Sequence, residues 1–104
     1  PGLRMRASKP YRFDPQAWLE LEAADDWYRQ RNIEASVSFL AAVHDALETI
    51  TKWPLRSPRY AHGTRRFILF RFPFSIVYLD EPTVVSIVAI AHSKRKPGYW
   101  KHRL

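Results

Sequence analysis

The breaks between the apolar runs of residues 66–91 constrain this chain more than any other feature. Three runs, Arg66–Phe72 (RFILFRF), Phe74–Leu79 (FSIVYL) and Thr83–Ala91 (TVVSIVAIA), are rich in β-branched and aromatic residues. Only Pro73 and Asp80-Glu81-Pro82 separate them. A parallel pair of strands needs a crossover of about a dozen residues, so joins this short make the three strands antiparallel neighbours. Pro73 falls at a join, where its missing N–H removes no ladder bond. The last run is apolar on both faces, the pattern of a central strand covered on both sides.

Upstream of the strands the period changes. Tyr11-Arg12-Phe13 alternates apolar and polar, which fits a short first strand. Asp14 then reads as an N-cap with Pro15 at the first helical position. The first helix is predicted from Pro15 to about Arg31, with Trp18, Leu21, Ala24 and Tyr28 at helical spacing and Trp27-Tyr28 expected in the core. Its acids (Glu20, Glu22, Asp25, Asp26) precede Arg29 and Arg31, which suits the helix dipole. Asn32 is placed to cap a second helix from Ile33 to about Trp53, whose apolar stripe is Phe39, Val43, Ala46, Ile50 and Trp53. So short a turn between helices implies an antiparallel hairpin. Pro54 and Pro58 end the helical region, and 55–64 is a loop. The expected fold is α+β, in the order β-α-α-β-β-β, with a helical hairpin packed on one face of a mostly antiparallel sheet.

The length of 104 residues suits a single domain. Residues 1–8 are expected to be a flexible or extraneous lead-in, with Met5 as the natural start, and 93–104 a basic tail. With no cysteine, disulfides and thiol catalysis are excluded. His44 and His62 lack ligand-spaced partners, so neither metal nor cofactor is expected. Three isolated glycines cannot build a phosphate loop. No apolar run reaches the roughly eighteen residues of a membrane span, and no leader pattern opens the chain; a cytoplasmic protein without membrane contact is expected.

The net charge of +7 is unevenly placed. Residues 1–50 hold six Lys/Arg against eight Asp/Glu, whereas 51–104 hold eleven against two. Such a split marks a face for a polyanion or an acidic partner. Its centre is the segment after the last strand, Ala-His-Ser-Lys-Arg-Lys-Pro-Gly-Tyr-Trp-Lys-His-Arg (91–103). His92 is the first side chain to leave the sheet, followed by Lys94, Arg95, Lys96, Tyr99, Trp100, Lys101 and Arg103. Two readings stand for several of these. Tyr99 and Trp100 either contact a target or pack back on the sheet. Arg103 either contacts a target or pairs with the acidic first helix.

This layout, with the helix segment ending Asp26-Trp27-Tyr28, FRFPFSIVYLD (70–80) and AHSKRKPGYWKHR (91–103), resembles the RelE/ParE superfamily of toxins from type II toxin–antitoxin modules. The resemblance covers Asp14 to Arg103. It implies a growth-inhibiting, plasmid-stabilising poison neutralised by a cognate antitoxin that wraps it, with operator DNA bound only through the antitoxin complex. RelE-like members cut mRNA on the ribosome, whereas ParE-like members poison DNA gyrase. Metal-free RNA cleavage needs a base, an acid and cations on the phosphate. His92, Arg95 and Tyr99, with Lys94, would supply these only in a nuclease. RelE-like nucleases place an arginine in a pattern Arg-aliphatic-Val-Tyr; here the stretch is Ser75-Ile76-Val77-Tyr78, and a serine supplies no charged phosphate contact. In the nuclease reading Arg71 would have to stand in. Ser75 therefore favours ParE-like action on gyrase, with Arg71, Lys94, Arg95, Lys96, Trp100 and Arg103 as target-binding residues. The alternatives are ribosome-dependent mRNA cleavage and a non-toxic nucleic-acid or protein adaptor of the same fold.

Overall fold

The computed structural model describes residues 8–104. The proposed lead-in, Met5 included, lies outside the described residues except for Ser8. The order is β1 (Tyr11–Phe13), α1 (Pro15–Arg31), α2 (Ile33–Lys52), β2 (Arg65–Ile68), β3 (Phe74–Asp80) and β4 (Val85–His92), with single 3-10 turns at Ala61–Gly63 and Lys101–Arg103. The strands lie in the order β1-β4-β3-β2, so β4 is central as its two-sided apolarity predicts. β1 runs parallel to β4; the other pairs are antiparallel.

Local chemistry accounts for the helical hairpin. The Asp14 carboxylate accepts from the Gln16 N–H at 2.8 Å, with Pro15 behind it. Asn32 serves both helices. Its N–H donates to the Tyr28 carbonyl at 2.8 Å, closing α1, while its side-chain oxygen accepts from the Glu34 and Ala35 N–H groups, opening α2. Next to this turn Asp25 is buried, accepting from the Ser36 hydroxyl and the Arg29 guanidinium.

Two cores sandwich the sheet. Ala17, Leu21 and Ala24 of α1 and Phe39, Val43, Ala46, Leu47 and Ile50 of α2 cover Ile76, Tyr78, Val85, Ile87 and Ile90 on one face. On the other face Val77, Val88 and Ala89 are covered by Trp100, with Tyr60, Leu79 and Tyr99 packed around. A register shift lies where Val77 pairs with Ala89 but Tyr78 pairs with Ile87, leaving Val88 as an extra residue in β4. The bulge switches the face on which side chains alternate. Ile87 and Ile90 thus share the helical core although they lie three positions apart, an odd offset that would otherwise put them on opposite faces.

Three expectations need correction. The strand expected over Arg66–Phe72 ends at Ile68, and residues 69–73 form the hairpin loop. Leu69 N–H donates to the Phe74 carbonyl at 3.0 Å and Phe74 N–H to the Phe72 carbonyl at 2.8 Å, closing a loop in which Arg71 has φ +78°. Trp27 is not core but 52% exposed, its ring under the Arg31 guanidinium at 3.8 Å. Only Tyr28 turns inward, against Phe39 and Phe72. Trp53, expected in the apolar stripe, is the C-cap of α2 and exposed.

Candidate functional site

β1 is three residues long and pairs β4 only over Val85–Ile87. Beyond that point side chains serve the β4 backbone in place of a neighbouring strand. Glu20 of α1 accepts from the Ile90 N–H at 3.0 Å, and Arg103 donates to the Val88 carbonyl at 3.0 Å. These two residues also bind each other, through Nη1–Oε1 at 2.9 Å and Nη2–Oε2 at 3.0 Å. The Tyr99 hydroxyl completes the set, donating to Glu20 Oε2 at 2.6 Å. Gln16 accepts from Arg103 Nε at 2.8 Å. The tail is therefore fastened across β4 onto α1.

Between these anchors the tail is built from turns. Ser93 N–H donates to the Pro73 carbonyl at 2.8 Å, and Arg95 N–H donates to the His92 carbonyl at 3.0 Å. Lys94 N–H donates to His92 Nδ1 at 3.0 Å, which assigns the proton of the neutral ring to Nε2. The ring also meets Phe74 edge-on at 5.0 Å. Gly98 has φ +85°, and a Cβ there would come within 3.3 Å of His62 Nε2, so this turn requires glycine. Directly after it Trp100 enters the second core, 1% exposed, with His62 edge-on at 5.8 Å.

The electrostatics follow from this packing. The Tyr99 hydroxyl is pushed well above the ordinary phenol range by burial, then by its hydrogen bond to Glu20 and that carboxylate's charge. Burial alone would lower the Arg103 pKa; the hydrogen bonds and charge of Glu20 outweigh it and raise the value. Tyr99 at neutral pH is thus a fixed donor to Glu20.

His92, Arg95 and Tyr99 are brought together, as the sequence led us to expect. They line a groove of about 390 Å³ whose other walls include Ala23, Trp27, Phe74 and Ile90. They also line a smaller cleft, about 100 Å³, on the opposite face of the sheet, together with Lys96. Lys94 is exposed and lines neither. Three more of the residues expected to bind the target do not line the groove. Trp100 is a plug in the second core, because its rings fill the sheet face that the helices leave open. Arg103 is held by Glu20, its side chain 7% exposed. Arg71 sits at the β2–β3 loop beside α2, lining a different groove with Asp45 and Phe70, and does not stand in for a cation near Ser75. Arg66 does line the cleft with Ser75. Its pairing with Val77 puts it on that face, a signal available from hairpin alternation. Glu20 had no comparable signal, since its partners lie some seventy or more positions away.

A helical hairpin on one face, a sheet with a central β4, and a basic tail folded over the other face define a RelE/ParE-superfamily toxin. Residues 11–97 match the family described as the ParE toxin of the type II toxin–antitoxin system, parDE, and the chain belongs to that family. It is a type II toxin of the ParE-like kind. A solved structure described as the chromosomal ParDE toxin–antitoxin system from P. aeruginosa has the same fold, with a TM-score of 0.70 at 17% identity. The alignment covers 82% of this chain and 96% of that one. No curated protein sequence matches the chain. Among the described residues no helix is long and apolar enough to cross a membrane.

Proposed function

We propose that this ParE-family toxin arrests bacterial growth by inhibiting DNA gyrase in the cytoplasm, without covalent chemistry of its own. The observation that carries the reading is the state of the tail residues a nuclease would use. Tyr99 is tied to Glu20 at 2.6 Å, and the strand position of the nuclease arginine holds Ser75. The tail then offers Lys94, Arg95 and Lys96 as exposed cations for a target surface, with no ion pair to them among the described residues. Purified protein added to gyrase is expected to block supercoiling; unimpaired supercoiling at excess toxin would refute the reading. New mRNA ends at codon positions in arrested cells would point instead to ribosome-dependent cleavage. Unhindered colony formation on induction would point to an adaptor.

The neutralising partner is a cognate antitoxin. The groove along α1 suits it, with apolar walls from Trp27, Phe74 and Ile90 and a cationic rim from Arg95. An acidic, amphipathic antitoxin segment matches both. Sequence-specific recognition of operator DNA would run through the antitoxin complex. Co-expression of the neighbouring open reading frame is expected to restore growth, and Ala23→Trp, which fills the groove, to weaken that rescue.

A further inference from the structure

The cleft on the face away from the helical hairpin differs from the two larger grooves. Those include Glu20 and Asp45 in their walls. The cleft is lined by Arg66, His92, Arg95 and Lys96 with Ser75 and aromatic neighbours, and by no carboxylate. The adjoining hollow, around His62, Lys96, Lys101 and His102, also contains none. The cations come from separate places, Arg66 from β2 and Arg95 and Lys96 from the tail.

Aromatic rings, not acids, hold these arginines. The Arg66 guanidinium lies 4.3 Å over the Tyr60 ring and that of Arg95 lies 3.8 Å over Tyr99. A stacked guanidinium uses its face and keeps its in-plane N–H donors for another acceptor. Arg103 is the contrast within this chain, with donors occupied by Glu20, Gln16 and the Val88 carbonyl. No ion pair among the described residues engages Arg66, Arg95 or Lys96.

We propose that this acid-free cleft is a contact site for the sugar–phosphate backbone of duplex DNA, made by the toxin itself. A planar carboxylate is satisfied by one guanidinium fork, whereas a phosphodiester chain presents charge to several cations at repeated positions. The duplex is favoured over a single strand because no tyrosine or tryptophan face of the cleft is left for bases. Tyr60 and Tyr99 lie under guanidinium groups and Trp100 is buried. Binding is therefore set by phosphate charge and indifferent to sequence. The proposal goes beyond gyrase inhibition and does not rest on it, since it concerns the isolated toxin and naked DNA.

The test is fluorescence anisotropy of a labelled short duplex titrated with toxin over a range of salt. Each phosphate neutralised contributes about 0.9 to the slope of log affinity against log salt. Arg66→Ala with Lys96→Ala is expected to lower affinity about tenfold or more near 0.1 M salt and reduce the slope by nearly two. Arg56→Ala with Arg59→Ala is the matched control, two exposed arginines outside the cleft, the first stacked on Trp53 at 4.7 Å, and its slope should stay that of the parent. The parent is expected to bind the duplex more tightly than a single strand of equal length. Equal losses in both variants would reduce the site to diffuse charge and overturn the proposal. So would tighter single-strand binding, or displacement of duplex by poly-glutamate at equal charge, which would indicate an acidic protein. Lys96→Glu, at an exposed position, repeats the test should Arg66→Ala disturb β2.

Discussion

Glu20 and Arg103 lie 83 positions apart yet share two parallel contacts, at 2.9 and 3.0 Å, with side chains 19% and 7% exposed. The pair joins the first helix to the last turn and covers a β4 edge that no strand covers among the described residues. Removing one partner leaves the other charge poorly hydrated. Glu20→Gln is expected to cost about 2–4 kcal/mol, less than a fully buried pair because Glu20 is partly hydrated. Urea unfolding checks it. Adding Arg103→Met should cost far less in the Glu20→Gln background than in the parent. Additive losses would mean that the two do not act as a pair.

Trp100 decides between a plug and a contact. Being 1% exposed against Val77, Val88 and Ala89, its truncation opens a large cavity. Trp100→Ala should cost about 3–5 kcal/mol by urea unfolding. Any loss of growth arrest should track the unfolded fraction. A stable but inactive Trp100→Ala protein would restore the contact reading.

The tyrosines set an alkaline limit. Burial and then Glu20 raise the Tyr99 pKa, and burial raises that of Tyr78, whose hydroxyl donates to the Pro54 carbonyl at 2.6 Å. A raised folded-state pKa means its contribution is complete below the unfolded value near 10 and is lost as pH rises above it, where only the unfolded chain ionises. Stability should be flat with respect to these groups from about pH 8 to 9 and decline above about pH 10. The decline should be shallower in Tyr99→Phe. An equal decline in that variant would show that Tyr99 is not the group responsible.

Arg71 has φ +78° in the β2–β3 loop. The left-handed region costs a non-glycine residue about 1 kcal/mol, partly offset in a substitution by the greater freedom of unfolded glycine. Arg71→Gly should therefore raise stability by about 0.5 kcal/mol in thermal unfolding. If the guanidinium also touches the target, gyrase inhibition should weaken in the same stabilised protein. Unchanged inhibition would remove Arg71 from the target-binding set.

What was legible in the chain depended on locality. Both helix starts lay in single caps, Asp14 and Asn32, whose chemistry acts within three residues. The antiparallel order of β2, β3 and β4 followed from short joins. The reach of β2 was misjudged because Phe70 and Phe72 continue the alternation in sequence although the chain has turned, leaving Phe70 86% exposed. Alternation records which faces are apolar, not whether a ladder continues. The bulge at Val88 was hidden for a related reason: a run apolar on both faces reads alike in either phase. The gathering of His92, Arg95 and Tyr99 was visible because they follow one strand end. The Glu20 hub joins distant segments, and no local pattern marks it.

The exposed cations of the tail separate function from folding. Lys94 and Arg95 extend from turns whose hydrogen bonds run through the backbone and His92 Nδ1, so those bonds survive side-chain truncation. Neither side chain has an ion pair among the described residues, and the stacking of Arg95 on Tyr99 lies at the surface. Such substitutions typically change stability by no more than about 0.5 kcal/mol each, and losing an exposed cation–π contact adds about as much. Lys94→Ala with Arg95→Ala should thus unfold within about 1.5 kcal/mol of the parent. A target contact made by the same two charges would cost far more in potency, since each charge-assisted hydrogen bond is worth about 1.5–3 kcal/mol. Growth arrest on induction should then fall by at least tenfold in the dose required, with soluble protein at parental levels. Parallel loss of fold and toxicity would make these cations part of the scaffold, leaving the target surface to be sought along α1.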